Sequence, residues 1–99
     1  MAHIVISARF DKWLKERAAA GRATYRRILS HIDRMRIDNF DDSKSVGDGV
    51  SALRLDFGPG YRLYYTRRGL EVVLLLVGGD KSTQAKDISK AREMVKNLP

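Results

Sequence analysis

The first apolar run, His3-Ile4-Val5-Ile6-Ser7, is β-branched and predicts a short opening strand. Helical spacing follows at Phe10, Trp13, Leu14 and Ala18, with Ser7 placed to cap the N-terminus. Gly21 breaks that helix. A second stripe runs through Tyr25, Ile28, Leu29, Ile32 and Met35, while the opposite face carries Arg22, Arg26, Arg27 and Arg34. Two helices with a short joint form an αα-hairpin.

Residues 38–49 read as a loop, with four aspartates and two glycines. That is long for a compact domain, and Lys44-Ser45-Val46 is a candidate edge strand inside it. Three strands follow, over 50–57, 61–66 and 71–77. Gly58-Pro59-Gly60 supplies the first turn: proline fixes φ at one central position, and glycine tolerates positive φ at the next. Arg67-Arg68-Gly69 supplies the second, and Gly78-Gly79 ends the last strand. A final helix starts near Ser82 or Thr83, with Ile88, Ala91, Val95 and Leu98 as its inner stripe.

The order β-α-α-β-β-β-α predicts a single α+β domain over residues 1–99. Its sheet is a small antiparallel meander with the first strand alongside and the helices stacked on one face. The nearly continuous apolar run Val72–Val77 suits the sheet centre. Six residues cannot cross a bilayer, and the broken apolar run at the start is not a secretory signal, so no membrane partner is expected.

Charge sharpens this picture. Nineteen Lys and Arg face twelve Asp and Glu, a net charge of +7. The excess is spread over both halves of the chain, which indicates a folded basic surface rather than a basic tail. Such a surface favours polyanionic partners. The chain has no cysteine, which removes disulfides, thiolate metal sites and a cysteine nucleophile, and fits a reducing cytoplasm.

Strand alternation gives the cations an address. Leu53, Leu55 and Leu63 belong to the face that meets the helices. Arg54, Arg62 and Tyr64 then project from the opposite face, and Lys81 follows the last strand at the end of that surface. Guanidinium forks suit phosphates, and a phenol offers a stacking plane or a proton. A solvated face in which Arg54 pairs with Asp56 or a cross-strand acid fits the same pattern. His3 and His31 read as surface histidines, Asp41 and Asp42 as a solvated loop, and the arginines of the second helix as a solvated face. No zinc spacing, P-loop or nucleophile elbow is present, and no metal or cofactor is expected.

The stretch LRLDFGPGYRLYYTRRG, followed by VVLLLVGGDKSTQAKDI, resembles the RelE/ParE toxin superfamily. Within it, the chain is most similar to the HigB-like "addiction module killer protein" branch of type II toxin–antitoxin systems. FDKWL near the start, the two helices and GDGV agree, so the likeness spans almost the whole chain. It implies a RelE-like fold and a cytoplasmic toxin that cuts mRNA on the ribosome without metal, using the substrate's 2′-hydroxyl. Arg54 matches a basic strand position of that pattern and Arg62 the arginine of its G-Y-R motif; Lys81 lies near a further basic position. With Tyr64 they form the implied catalytic set. Arg26, Arg27, Arg67 and Arg68 are the candidate contacts to RNA or the ribosome. The implied partners are the ribosome, mRNA and an adjacently encoded antitoxin of helix-turn-helix type.

Two departures keep an alternative open. Ala52 stands where this branch often has glutamate, and other relatives a basic residue. The catalytic tyrosine or histidine of some ribosome-dependent members is missing after Lys81. The alternative is a ParE-like toxin that binds and poisons DNA gyrase without catalysis.

Overall fold

The computed structural model describes residues 1–99. Strand β1 (His3–Ile6) leads into helices α1 (Ala8–Ala20) and α2 (Arg22–Arg36). Strands β2 (Ser43–Gly47), β3 (Val50–Arg54), β4 (Tyr61–Arg68) and β5 (Val72–Asp80) follow. A 3-10 turn, Lys81–Thr83, precedes helix α3 (Gln84–Lys96). The α+β class and the element order agree with the sequence, and the Lys44-Ser45-Val46 segment is indeed an edge strand. No helix is long and apolar enough to cross a membrane.

The sheet order is β1-β5-β4-β3-β2. Strands β2 to β5 form the antiparallel meander, but β1 pairs parallel to β5, with His3 opposite Val72 and Ile6 opposite Leu75. The sheet is therefore mixed rather than wholly antiparallel. The chain leaves β1 through the helical hairpin, enters the sheet at its far edge and works back until β5 lies beside β1. An apolar pattern records which face a strand buries but not its direction, so the sequence carried no sign of this pairing. Strand β4 takes the middle position and β5 lies next to it.

The helices divide between the faces, against the expectation that all would stack on one. Phe10 and Leu14 of α1 and Ile28, Ile32 and Met35 of α2 pack on Leu53, Leu55, Leu63, Tyr65, Val73 and Leu75. On the other face, α3 lays Ala91, Ile88, Met94 and Val95 over Val50, Ala52, Tyr64, Leu76 and Val77. A register shift between Tyr64 and Tyr65 fits one extra residue into β5, so that Leu76 and Val77 both join the α3 cluster. Ala18, placed in the α1 stripe by its spacing, is exposed.

Local chemistry places these elements. The Ser7 hydroxyl accepts the Phe10 N–H at 3.0 Å and donates to the Leu76 carbonyl at 2.8 Å, so the cap of α1 is also pinned to β5. Gly78 and Gly79 lie inside β5 rather than after it. A Cβ on Gly78 would overlap the Trp13 ring, and one on Gly79 would overlap the Asp87 carboxylate. Bare backbone at these two positions lets α1 and the start of α3 close on opposite faces of one strand. Arg67 and Arg68, read as turn residues, instead extend β4.

Candidate functional site: a basic recess at the end of the sheet

Arg54 and Arg62 are direct cross-strand partners. Because the Leu55 N–H donates to the Tyr61 carbonyl at 2.9 Å, the Arg54–Arg62 pair falls between ladder bonds, where antiparallel backbones come closest. Like charges so placed repel and destabilise a sheet. Two local devices hold them. Arg54 Nη2 donates to Asp42 Oδ1 at 2.6 Å, at the surface. Arg62, only 8% exposed, donates from Nη1 to the carbonyls of Gly60 and Tyr61, both at 3.1 Å. That leaves its Nε and Nη2 without protein partners. The side chain of Arg62 has room because its other cross-strand partner is Gly79.

Lys81 completes the cluster. It begins the 3-10 turn and lays its stem across Gly60, whose φ is +79°. Arg54, Arg62 and Lys81 thus line one open recess of about 560 Å³, walled by the Phe57-Gly58-Pro59-Gly60 turn and rimmed by Asp42 and Asp56. A smaller hollow of about 350 Å³ continues from it, bounded by Lys44, Arg54, Arg62, Tyr64, Gln84 and Ile88. The sequence spacing therefore locates three of the four implied catalytic residues at one site.

Tyr64 is the correction. Its ring is fully buried under α3, so it cannot present a stacking plane. Its hydroxyl is buried without a hydrogen-bond partner. Burial, and then the nearby Asp87 carboxylate, push its pKa up to about 12, so the phenol stays protonated. A lone buried hydroxyl costs stability. Tyr64→Phe is therefore expected to stabilise the fold by about 1 kcal/mol. Urea unfolding measures this, and a loss of stability would mean that the hydroxyl has a partner in solution.

The supporting arginines do not form one surface. Arg26 is exposed on α2. Arg27 packs its guanidinium on Phe57, 3.9 Å from the ring centroid, which sets it at the recess rim. His31, one helical turn on, also stacks against Phe57, with centroids 6.3 Å apart. Its pKa is lowered by partial burial and by Arg34 and Arg27, so the neutral ring is favoured at pH 7. Arg67 instead covers Phe40 and faces Asp38 at 3.6 Å, and Arg68 bonds the Pro99 carbonyl. Both sit near the other end of β4, roughly 17–20 Å of strand from Arg62.

Sequence reasoning did not place Lys44 or Asp42 at the recess. Lys44 lay in the candidate edge strand and Asp42 in the loop read as solvated. Asp42, opposite Arg54 where β2 meets β3, is the cross-strand acid of the paired alternative, and Asp56 is not the partner. The order Ser43-Lys44-Ser45-Val46 does alternate, which was the available signal.

Asp80 fixes Lys81. Its carboxylate accepts the Ser82 hydroxyl and N–H, at 2.5 and 2.8 Å, in a capping box with Thr83. These bonds hold its carboxyl below the usual carboxylate range. A depressed pKa gives stability that is present above the unfolded value and lost as pH falls through the folded one. Asp80→Ala is expected to cost about 1 kcal/mol at neutral pH, as lost caps do. The variant should also lose less stability than the parent on acidification below about pH 4. Urea melts at neutral and acid pH check both.

Comparison with known proteins supplies relationship rather than activity. No family model matches the chain, and no solved structure matches it. A protein of Haemophilus influenzae (strain ATCC 51907 / DSM 11121 / KW20 / Rd), described as "Uncharacterized protein", is 44% identical over 93 residues. The match covers 90% of this chain and 88% of that protein. Identity at this level over nearly the full length of both shows common descent, and the chain belongs to the same family as the Haemophilus influenzae protein.

Proposed function

We propose that the chain is the toxin of a type II toxin–antitoxin pair and cleaves mRNA on the ribosome. The observation that carries this reading is the directly opposed Arg54–Arg62 pair, closed by Lys81 around one open recess. A phosphodiester laid there meets the free donors of Arg62 and the half-exposed guanidinium of Arg54. Both suit the extra negative charge of a pentacoordinate phosphorus. The substrate's 2′-oxygen attacks phosphorus, its proton passes to solvent or a rim carboxylate, and the bond to the 5′-oxygen breaks. Lys81 donates the proton that the leaving oxygen needs. The products are a 2′,3′-cyclic phosphate and a 5′-hydroxyl end. The exposed Arg26 and rim Arg27 extend the positive surface toward ribosomal RNA. A separately encoded antitoxin, of the helix-turn-helix class, is the neutralising partner.

The test is induction of the chain in cells followed by mapping of RNA 5′ ends, with Arg62→Ala alongside. New ends inside translated messages, absent with the variant, support the reading. Intact messages during growth arrest overturn it. One observation favours a second reading, poisoning of DNA gyrase by binding alone. With Tyr64 buried, the recess offers cations and carboxylates but no exposed tyrosine or imidazole for proton transfer. Trapped gyrase–DNA breaks with intact mRNA would establish that alternative.

A further inference from the structure

The large exposed apolar side chains are not scattered. Met1, Val5, Ile6, Ile37 and Leu70 are 92, 47, 39, 66 and 82% exposed. Val5 and Ile6 belong to β1, and the others surround its start. The Ala2 N–H donates to the Arg36 carbonyl at 2.9 Å, which brings Ile37 beside the beginning of the strand. The His3 N–H donates to the Glu71 carbonyl at 2.6 Å, which brings Leu70 there.

Strand β1 is also an open edge. The amides of His3 and Ser7 point inward to β5, donating to Glu71 and Leu75. By alternation Val5 does the same, so the N–H and C=O groups of Ile4 and Ile6 point outward. The opposite edge of the sheet is protected: β2 carries an exposed Lys44 and a register shift between Ser45 and Gly47. Strand β1 has no lysine, proline or bulge.

We propose that β1 pairs antiparallel with β1 of a second copy, about a two-fold axis through Val5. In that register Ile4 lies opposite Ile6 of the other copy, and each exchanges N–H···O bonds in both directions. It is the arrangement that satisfies every outward group of both strands. Val5 then meets its own symmetry mate as the closely spaced pair between ladder bonds. Ile6 adds to the apolar layer that Ile4 already joins beneath α1 and α2. A two-fold operator sets this apolar patch against itself, which is the complementarity an isologous interface needs. Two copies of a chain of charge +7 repel, so association should tighten as salt screens them. The inference does not depend on what the basic recess binds.

Light scattering of the full chain, from micromolar to near-millimolar concentration and at low and high salt, tests it. The apparent mass should rise toward double with concentration, at lower concentration in high salt. Val5→Lys should remain monomeric, with circular dichroism reporting that it folds. Val5→Cys keeps the test independent of that variant, because the chain has no other thiol. Residues on the axis lie about 4.5 Å apart between Cα atoms, within the range a disulfide spans. Mild oxidation should therefore give a covalent dimer much faster than for Ser45→Cys on the opposite edge. A monomer under all conditions overturns the proposal, as does a dimer that survives Val5→Lys or equal crosslinking of the two cysteine variants.

Discussion

Under the proposed function, Arg62→Ala is expected to lower the rate of mRNA cleavage about 10²–10³-fold, the usual cost of removing one donor from a site that stabilises an oxyanion. The geometry singles out this arginine. Its Nη1 is committed to the Gly60 and Tyr61 carbonyls, which immobilises the guanidinium plane. The remaining donors are aimed before substrate arrives, and a group that need not reorganise gains most in the transition state. Arg54 starts from a different position, since an anion must compete with Asp42 for it. Arg62→Lys separates two contributions: it restores the charge but not the fork, so it should recover only part of the rate. Because Arg62 is largely buried, thermal melts must accompany the rates. Wild-type cleavage by a folded Arg62→Ala protein would remove the recess from the mechanism.

Gly78→Val is expected to destabilise the protein by about 1–3 kcal/mol, the range for overpacking a filled interior. A domain of this size has roughly 5–15 kcal/mol to lose. The added carbons would enter the Trp13 ring, which is itself tilted against Phe10 and set edge-on to Tyr61. Relief requires α1 to lift from β5. A smaller residue at position 13 should therefore soften the effect: Trp13→Leu with Gly78→Val should be less damaging than the sum of the two changes. Additive losses in urea unfolding would show that the clash is not the cause. Gly78 and Gly79 lie opposite Leu63 and Arg62, so the same change should also disturb the recess.

Much of this was legible in the residues. Alternation put Leu53, Leu55 and Leu63 on one face and Arg54 and Arg62 on the other, because pleating leaves no freedom in that assignment. Ser7 announced the cap of α1, and Gly58-Pro59-Gly60 the turn that walls the recess. What escaped was tertiary. The run Val72–Val77 implies a strand covered on both faces, and the inner stripe of α3 is the cover for the second, but neither pattern names the other. Tyr64 was consequently read as exposed. Residue 42 was hidden by aspartate and glycine content that resembles a loop, while residue 44 was legible as part of an edge strand but not as a neighbour of the recess.

Pairing of β1 with β5 joins residues nearly seventy positions apart, His3 with Val72 among them. Loop closure on that scale is slow relative to local contacts. During synthesis β1 emerges long before its neighbour exists, and the second apolar layer waits for α3, later still. A nascent chain therefore holds an uncovered sheet until α3 has been made. The hairpin carrying Arg54 and Arg62 can close early, but the scaffold that fixes Lys81 beside it forms only once β5 and the start of α3 have followed.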